Sequence, residues 1–171
     1  MNSENKLNII DKLLESKTFN DYKHLRDNYK EILPLFKNVY KSQVQFSHVD
    51  SFDVVHNIAY LYWLEWARTE YLFEIGLPKN NSLFKVNFPL MTVNSNIDYF
   101  SSLNFPDEFK VLTKISKLGF SSIKFYNLIL NANDDLILKA VNTLVYVNKS
   151  KGIPLQLPQE VIDKTIAYEG Y

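Results

Sequence analysis

A chain of 171 residues, 46% hydrophobic and 15% aromatic, is long enough to bury one core without staples and too apolar for disorder. Nineteen Lys plus Arg balance nineteen Asp plus Glu, so the overall field gives no reason to expect a nucleic-acid partner. The absence of cysteine excludes disulfides, thiolate nucleophiles and Cys-based metal sites, and the polar start MNSENKLNII, with no run of about eighteen apolar residues anywhere, points to a cytoplasmic protein off the membrane.

From Lys6 to Glu15, Leu7, Ile9, Ile10, Leu13 and Leu14 recur at helical spacing and predict a short amphipathic helix. A second helix, capped by Asn20 or Asp21, runs through Tyr22, Leu25, Tyr29, Ile32 and Leu33 and stops near Pro34. Residues 1–36 therefore read as a helical extension, either a docking or lid element or a structural cover over a sheet or interface. Asn38 to Phe46 interleaves Val39, Val44 and Phe46 with polar residues and predicts a half-buried strand.

After the polar approach Ser47-His48-Val49-Asp50, a helix from about Val55 to Ile75 is so rich in Tyr, Trp, Leu and Phe that burial on nearly all sides is expected. Gly76 and Pro78 end it. Asp50 stands at the mouth of this helix, where free N–H groups and a partial positive charge can hold an anion or a polarised carbonyl. Along the helix Glu65, Arg68 and Thr69 share a face, which allows a Glu65 to Arg68 pair.

Beyond a linker at 79–85, Phe88 to Phe100 reads as strand, followed by a turn at Asn104 to Asp107. Glu108 to Leu118 alternates Phe109, Val111, Thr113 and Ile115 against Lys110, Lys114 and Lys117. Strands at Ile123 to Leu130 and Leu136 to Asn148 follow, with a turn at Asn131 to Asp135 between them. Pro154 and Pro158 break the chain before a terminal helix at Gln159 to Tyr168. One long helix before a run of antiparallel strands predicts an α+β roll, a curved sheet wrapped around the helix. The organisation is a helical extension at 1–36, a main domain at 37–158 and a C-terminal helix and tail at 159–171.

The run Asp50-Ser51-Phe52-Asp53-Val54-Val55-His56-Asn57, then Tyr60-Leu61, then Glu65, Ala67 and Arg68, resembles the hot-dog acyl-CoA thioesterases of the 4-hydroxybenzoyl-CoA thioesterase type. Ile97-Asp98-Tyr99, Pro106-Asp107 and Ser121-Ser122 extend the likeness, which covers about Tyr40 to Pro158. The resemblance implies a hot-dog fold and hydrolysis of an acyl-CoA thioester. In that scheme Asp50 is nucleophile or general base, the backbone N–H of Asn57 is the oxyanion donor, and His56 is adjacent to it. His48, two residues before Asp50, is a candidate supporting partner. Another branch of such enzymes places its carboxylate on the helix, where Glu65 stands. At 1.5 Å per residue Glu65 lies ~12 Å along the axis from Asn57, so it completes only a site shared between subunits.

Tyr60, Lys114 and Lys117 are candidate substrate-binding residues, the lysines forming either a face for coenzyme A phosphates or the wet side of a sheet. The implied partners are an acyl-CoA or acyl carrier protein thioester and a second copy of the chain, in a homodimer or a tetramer of dimers. No cofactor is expected beyond the coenzyme A of the substrate, and three scattered histidines give no metal-ligand spacing. One departure stands out, since Asp53 occupies the place of the family's usual glycine, adding a Cβ and a charge. It leaves two rival readings open beside hydrolysis: a non-catalytic acyl-thioester-binding protein, in which Asp50 only caps the turn, and a hot-dog hydratase using His56 with Asp50 or Glu65.

Overall fold

A computed structural model describes residues 22–77 and 88–170. The expected first helix and the 79–85 linker lie outside these residues. Five antiparallel strands form one sheet in the order β1-β3-β4-β5-β2, with β1 at Asn38–Gln43, β2 at Leu90–Tyr99, β3 at Glu108–Leu118, β4 at Ser122–Asn131 and β5 at Leu136–Tyr146. The three central strands follow one another in the chain through short turns, so each pairs with its sequence neighbour. This is the hot-dog α+β arrangement, with a long helix lying against the sheet.

Three α-helices and a short 3₁₀ turn at Phe46–His48 complete the described chain: α1 at Tyr22–Asn28, prolonged by a 3₁₀ segment to Leu35, α2 at Asn57–Glu74 and α3 at Gln159–Glu169. Alternation along the strands sends Phe109, Val111 and Ile129 towards Ala59, Tyr60, Trp63, Leu64 and Ala67 of α2. The other parity, Leu112, Tyr126, Leu128 and Leu130, meets Leu25, Tyr29, Ile32 and Phe36. The described part of the N-terminal extension thus covers the face of the sheet opposite α2. A third region joins Tyr71, Leu72 and Ile75 of α2 to Ile115, Phe125 and Leu144 and to Leu157 and Val161 of the C-terminal segment. Gly76, at φ +89°, ends α2 in the left-handed turn that a Cβ would disfavour, and Leu77 N–H closes it on Leu72 C=O at 3.0 Å.

Two sequence expectations change here. The long helix is not buried on nearly all sides: Ile58, Leu61, Tyr62 and Trp66, at 53, 44, 60 and 58% exposure, form a continuous outward stripe with Glu65 among them. Their 3- and 4-residue spacing keeps them on one side, while the sheet takes the other. Nor is the lysine strand a wet stripe. Lys114 is 1% exposed and its Nζ lies 2.7 Å from Glu169 Oε2. The cause is tertiary: β1 pairs with β3 only up to Thr113, and beyond that point the end of α3 lies against the strand, Glu169 Oε1 accepting from Ile115 N–H at 3.1 Å and from the Tyr71 hydroxyl at 2.7 Å.

Candidate functional site

The segment between β1 and α2 is a compact turn built on its own side chains. Asp50 N–H donates to Val54 C=O at 2.9 Å, and Asp53 N–H donates to Asp50 C=O at 3.0 Å. The Asp50 carboxylate accepts, through Oδ1, from Phe52 N–H at 2.8 Å and more weakly from Val54 N–H at 3.4 Å. It caps the turn with one oxygen, and the side chain as a whole remains exposed. Asp53 adopts φ +61°, so the backbone turns here as a glycine would let it, with Asp in the left-handed conformation that Asp and Asn tolerate best.

His56 caps the helix. Its Nδ1 accepts from Ala59 N–H at 3.1 Å and its Nε2 faces Ser47 C=O at 3.4 Å, which assigns the neutral ring a proton on Nε2. Asn57 and Ile58 then supply the first two helical N–H groups, and neither donates to a described residue. An open cavity of about 430 Å³ lies at this end, lined by Val55, Asn57, Tyr60, Tyr99, Ser101 and Ser102. Burial pushes the Tyr60 phenol up to about 12, partly offset by a hydrogen bond with the Leu103 backbone, so it presents a neutral aromatic ring to the cavity. Tyr99 stands edge-on to it, with centroids 5.6 Å apart.

A family model described as the thioesterase-like superfamily matches residues 44–165. The chain belongs to that superfamily. Among its relatives, the acyl-CoA thioesterase YbgC of Haemophilus influenzae is 27% identical over 119 residues, 70% of this chain and 87% of that protein. A Thermus thermophilus thioesterase crystallised with coenzyme A and zinc superposes with a TM-score of 0.69 at 25% identity, covering 80% of this chain and 96% of that one. The DHNA-CoA thioesterase of Staphylococcus aureus shares the fold, with a TM-score of 0.70 at 20% identity over 78% of this chain and 95% of its own.

Within this thioesterase-like chain, Asn57 and Tyr60 line the cavity, His56 caps the helix that carries them, and Asp50 lies on the turn before that helix, outside the residues that line the cavity. The other three candidates stand apart. Glu65 is exposed two turns further along and forms no ion pair with Arg68, which feels it only as a nearby charge. Lys117 is exposed, and a bulge after Ile115 sets it opposite Lys124, on the side of β3 that carries Leu112 and Lys114. Lys114 is not available to a phosphate, because Glu169 holds it. Tyr99, Ser101 and Ser102 join the cavity without having been singled out from the sequence. Tyr99 alone carried a signal, as the end of the Ile97-Asp98-Tyr99 pattern. Among the described residues no group of His, Asp and Glu converges in the manner of a metal site, and no helix is long and apolar enough to cross a membrane.

His48 supports the turn from behind, its Nδ1 accepting from Gln45 N–H at 3.1 Å and its ring edge-on to Trp63 at 5.3 Å. Burial, and then the neighbouring His56, hold its pKa below the ordinary histidine value. The unfolded chain therefore binds more protons than the folded one once pH falls through about 6.5. Stability should decline as pH drops from there through the folded-state value. Urea midpoints measured between pH 7.5 and 5 should show the wild type losing more stability than His48→Gln, which keeps an acceptor but does not titrate; parallel curves would refute this linkage.

Proposed function

We propose that this chain hydrolyses an acyl-CoA thioester to the free acid and coenzyme A, with Asp50 as nucleophile or general base and the Asn57 N–H as donor to the acyl oxygen. The observation that carries the reading is an exposed carboxylate one short turn before an uncommitted helix N-terminus that opens on a cavity. A helix amide aimed at the developing oxyanion contributes roughly 3 kcal/mol of transition-state stabilisation, and the helix dipole adds to it. Attack by the carboxylate expels the thiolate of coenzyme A and leaves a mixed anhydride that water then cleaves to the free acid and Asp50; attack by a water the carboxylate deprotonates gives the free acid and the thiolate directly. Coenzyme A enters as part of the substrate, and acyl carrier protein thioesters are the alternative carrier. Relatives named as acyl-CoA thioesterases support the substrate class. Release of free thiol from short, long and aromatic acyl-CoA thioesters tests it; a folded protein that cleaves none of them is not such a hydrolase.

The same reading makes the active form a dimer. Among the described residues strand β2 pairs only with β5, and its other edge carries no strand, with Met91 and Val93 exposed on β2. Ile97 and Tyr99 share the α2 side of the sheet, so the open edge adjoins the apolar stripe of α2. A second copy related by a two-fold axis can pair edge to edge and cover stripe with stripe. Tyr62→Lys combined with Trp66→Glu should therefore yield monomer in sedimentation at concentrations where the wild type is dimeric. A wild-type monomer, or a doubly substituted dimer, would defeat this assembly.

Glu65 gives a second reading. Exposed in that stripe and unpaired with Arg68, it would face the partner subunit and could supply the carboxylate from across the interface. Glu65→Gln separates the two assignments, since it should spare hydrolysis if Asp50 carries the reaction.

A further inference from the structure

The turn that presents Asp50 depends on one residue in an unusual conformation. Asp53 sits at φ +61°, a left-handed conformation that residues with a Cβ rarely adopt. Its N–H bonds Asp50 C=O, and Asp50 N–H in turn bonds Val54 C=O. The direction of the Asp50 side chain is therefore tied to the conformation at 53.

A second loop grips this turn from outside. Asn104 Nδ2 donates to Asp53 C=O at 2.6 Å. Asn104 is itself fastened, its N–H donating to Asp107 Oδ2 at 2.9 Å and its C=O accepting from Asp107 N–H at 2.8 Å. One residue earlier, Leu103 C=O accepts from Val55 N–H at 2.9 Å, and Leu103 is buried among α2 and β3 side chains. The 103–107 loop thus clamps both ends of the Asp53–Val55 segment and is anchored in the core.

We propose that Asn104 is a positioning residue, whose hydrogen bond to Asp53 C=O holds the Asp50 turn in the shape that presents its exposed carboxylate ahead of α2. It does by bracing what a glycine at 53 would do by conformational freedom. This inference rests on the assignment of the reaction to Asp50.

The test is a double-mutant cycle on the full chain. Asn104→Ala should lower kcat about tenfold with KM within about twofold, since misorientation of a reacting group costs rate more than binding. In an Asp53→Gly background the same substitution should cost less than about threefold, because glycine needs no brace at positive φ. An unchanged kcat in Asn104→Ala, or an equal loss in both backgrounds, overturns the proposal. Amide exchange gives an arm independent of activity: Asn104→Ala should speed exchange at Asp50 and Asp53 about tenfold and leave β3 and β4 unchanged. If the wild type cleaves no thioester, the assignment to Asp50 falls on that result, and unaltered exchange at Asp50 and Asp53 then overturns the brace separately.

Discussion

Asp50→Asn is expected to lower kcat on the best thioester about a thousandfold while leaving the fold and the oligomeric state unchanged. Asparagine keeps an Oδ1 that can still accept from Phe52 N–H, the bond that shapes the turn at 2.8 Å. What it removes is the charge and basicity needed to attack, or to activate water against, the acyl carbon. Asp50→Ala is the poorer test, because it also deletes the turn bond, worth about 1 kcal/mol, and so mixes chemistry with geometry. Steady-state hydrolysis beside circular dichroism and sedimentation decides the matter. If Asp50→Asn stays within about threefold of wild type, Asp50 is only the cap of its turn, and Glu65→Gln becomes the variant to measure.

Breaking the Lys114–Glu169 pair should have the largest effect on stability. Both side chains are 1% exposed, so Lys114→Met would leave a buried carboxylate without its cation, at a cost of about 3–5 kcal/mol. For a chain of this size that lowers Tm by roughly 10 °C. Adding Glu169→Gln removes the stranded charge and keeps an oxygen for the Tyr71 hydroxyl and the Ile115 N–H, so the double variant should regain more than half of the loss. Thermal unfolding of the three proteins checks this. A single variant that melts within about 2 °C of wild type would mean that the pair contributes little here.

Much of the fold was legible because its signals are local. Period-two alternation located β3, the apolar runs on either side of the turn at 131–135 located β4 and β5, glycine marked the end of α2 at Gly76, and the polar break at 104–107 fell between strands. The Asp50 to Tyr60 part of the site was legible for the same reason, since eleven consecutive residues carry it. The lysine strand was misread because alternation reports only which residues share a face, not what covers it. Lys114 shares a parity with Leu112, and only the arrival of Glu169, 55 residues later, makes that position an interior one. Val55 to Ile75 was likewise read as a helix buried all round from its composition, whereas the folded chain exposes the Ile58–Trp66 stripe.

The sequence by itself determined the order and type of the elements, the turn before α2 and the group of residues at its mouth, because each depends on neighbours within a few positions. Tertiary structure decided which candidates meet. It gave Asp53 its left-handed turn under the grip of Asn104, drew Lys114 into the interior, and left α2 and β2 with apolar surface exposed among the described residues. These outcomes depend on pairings between residues far apart in the chain, where register and the ends of strands, not local pattern, choose the partner of each polar group.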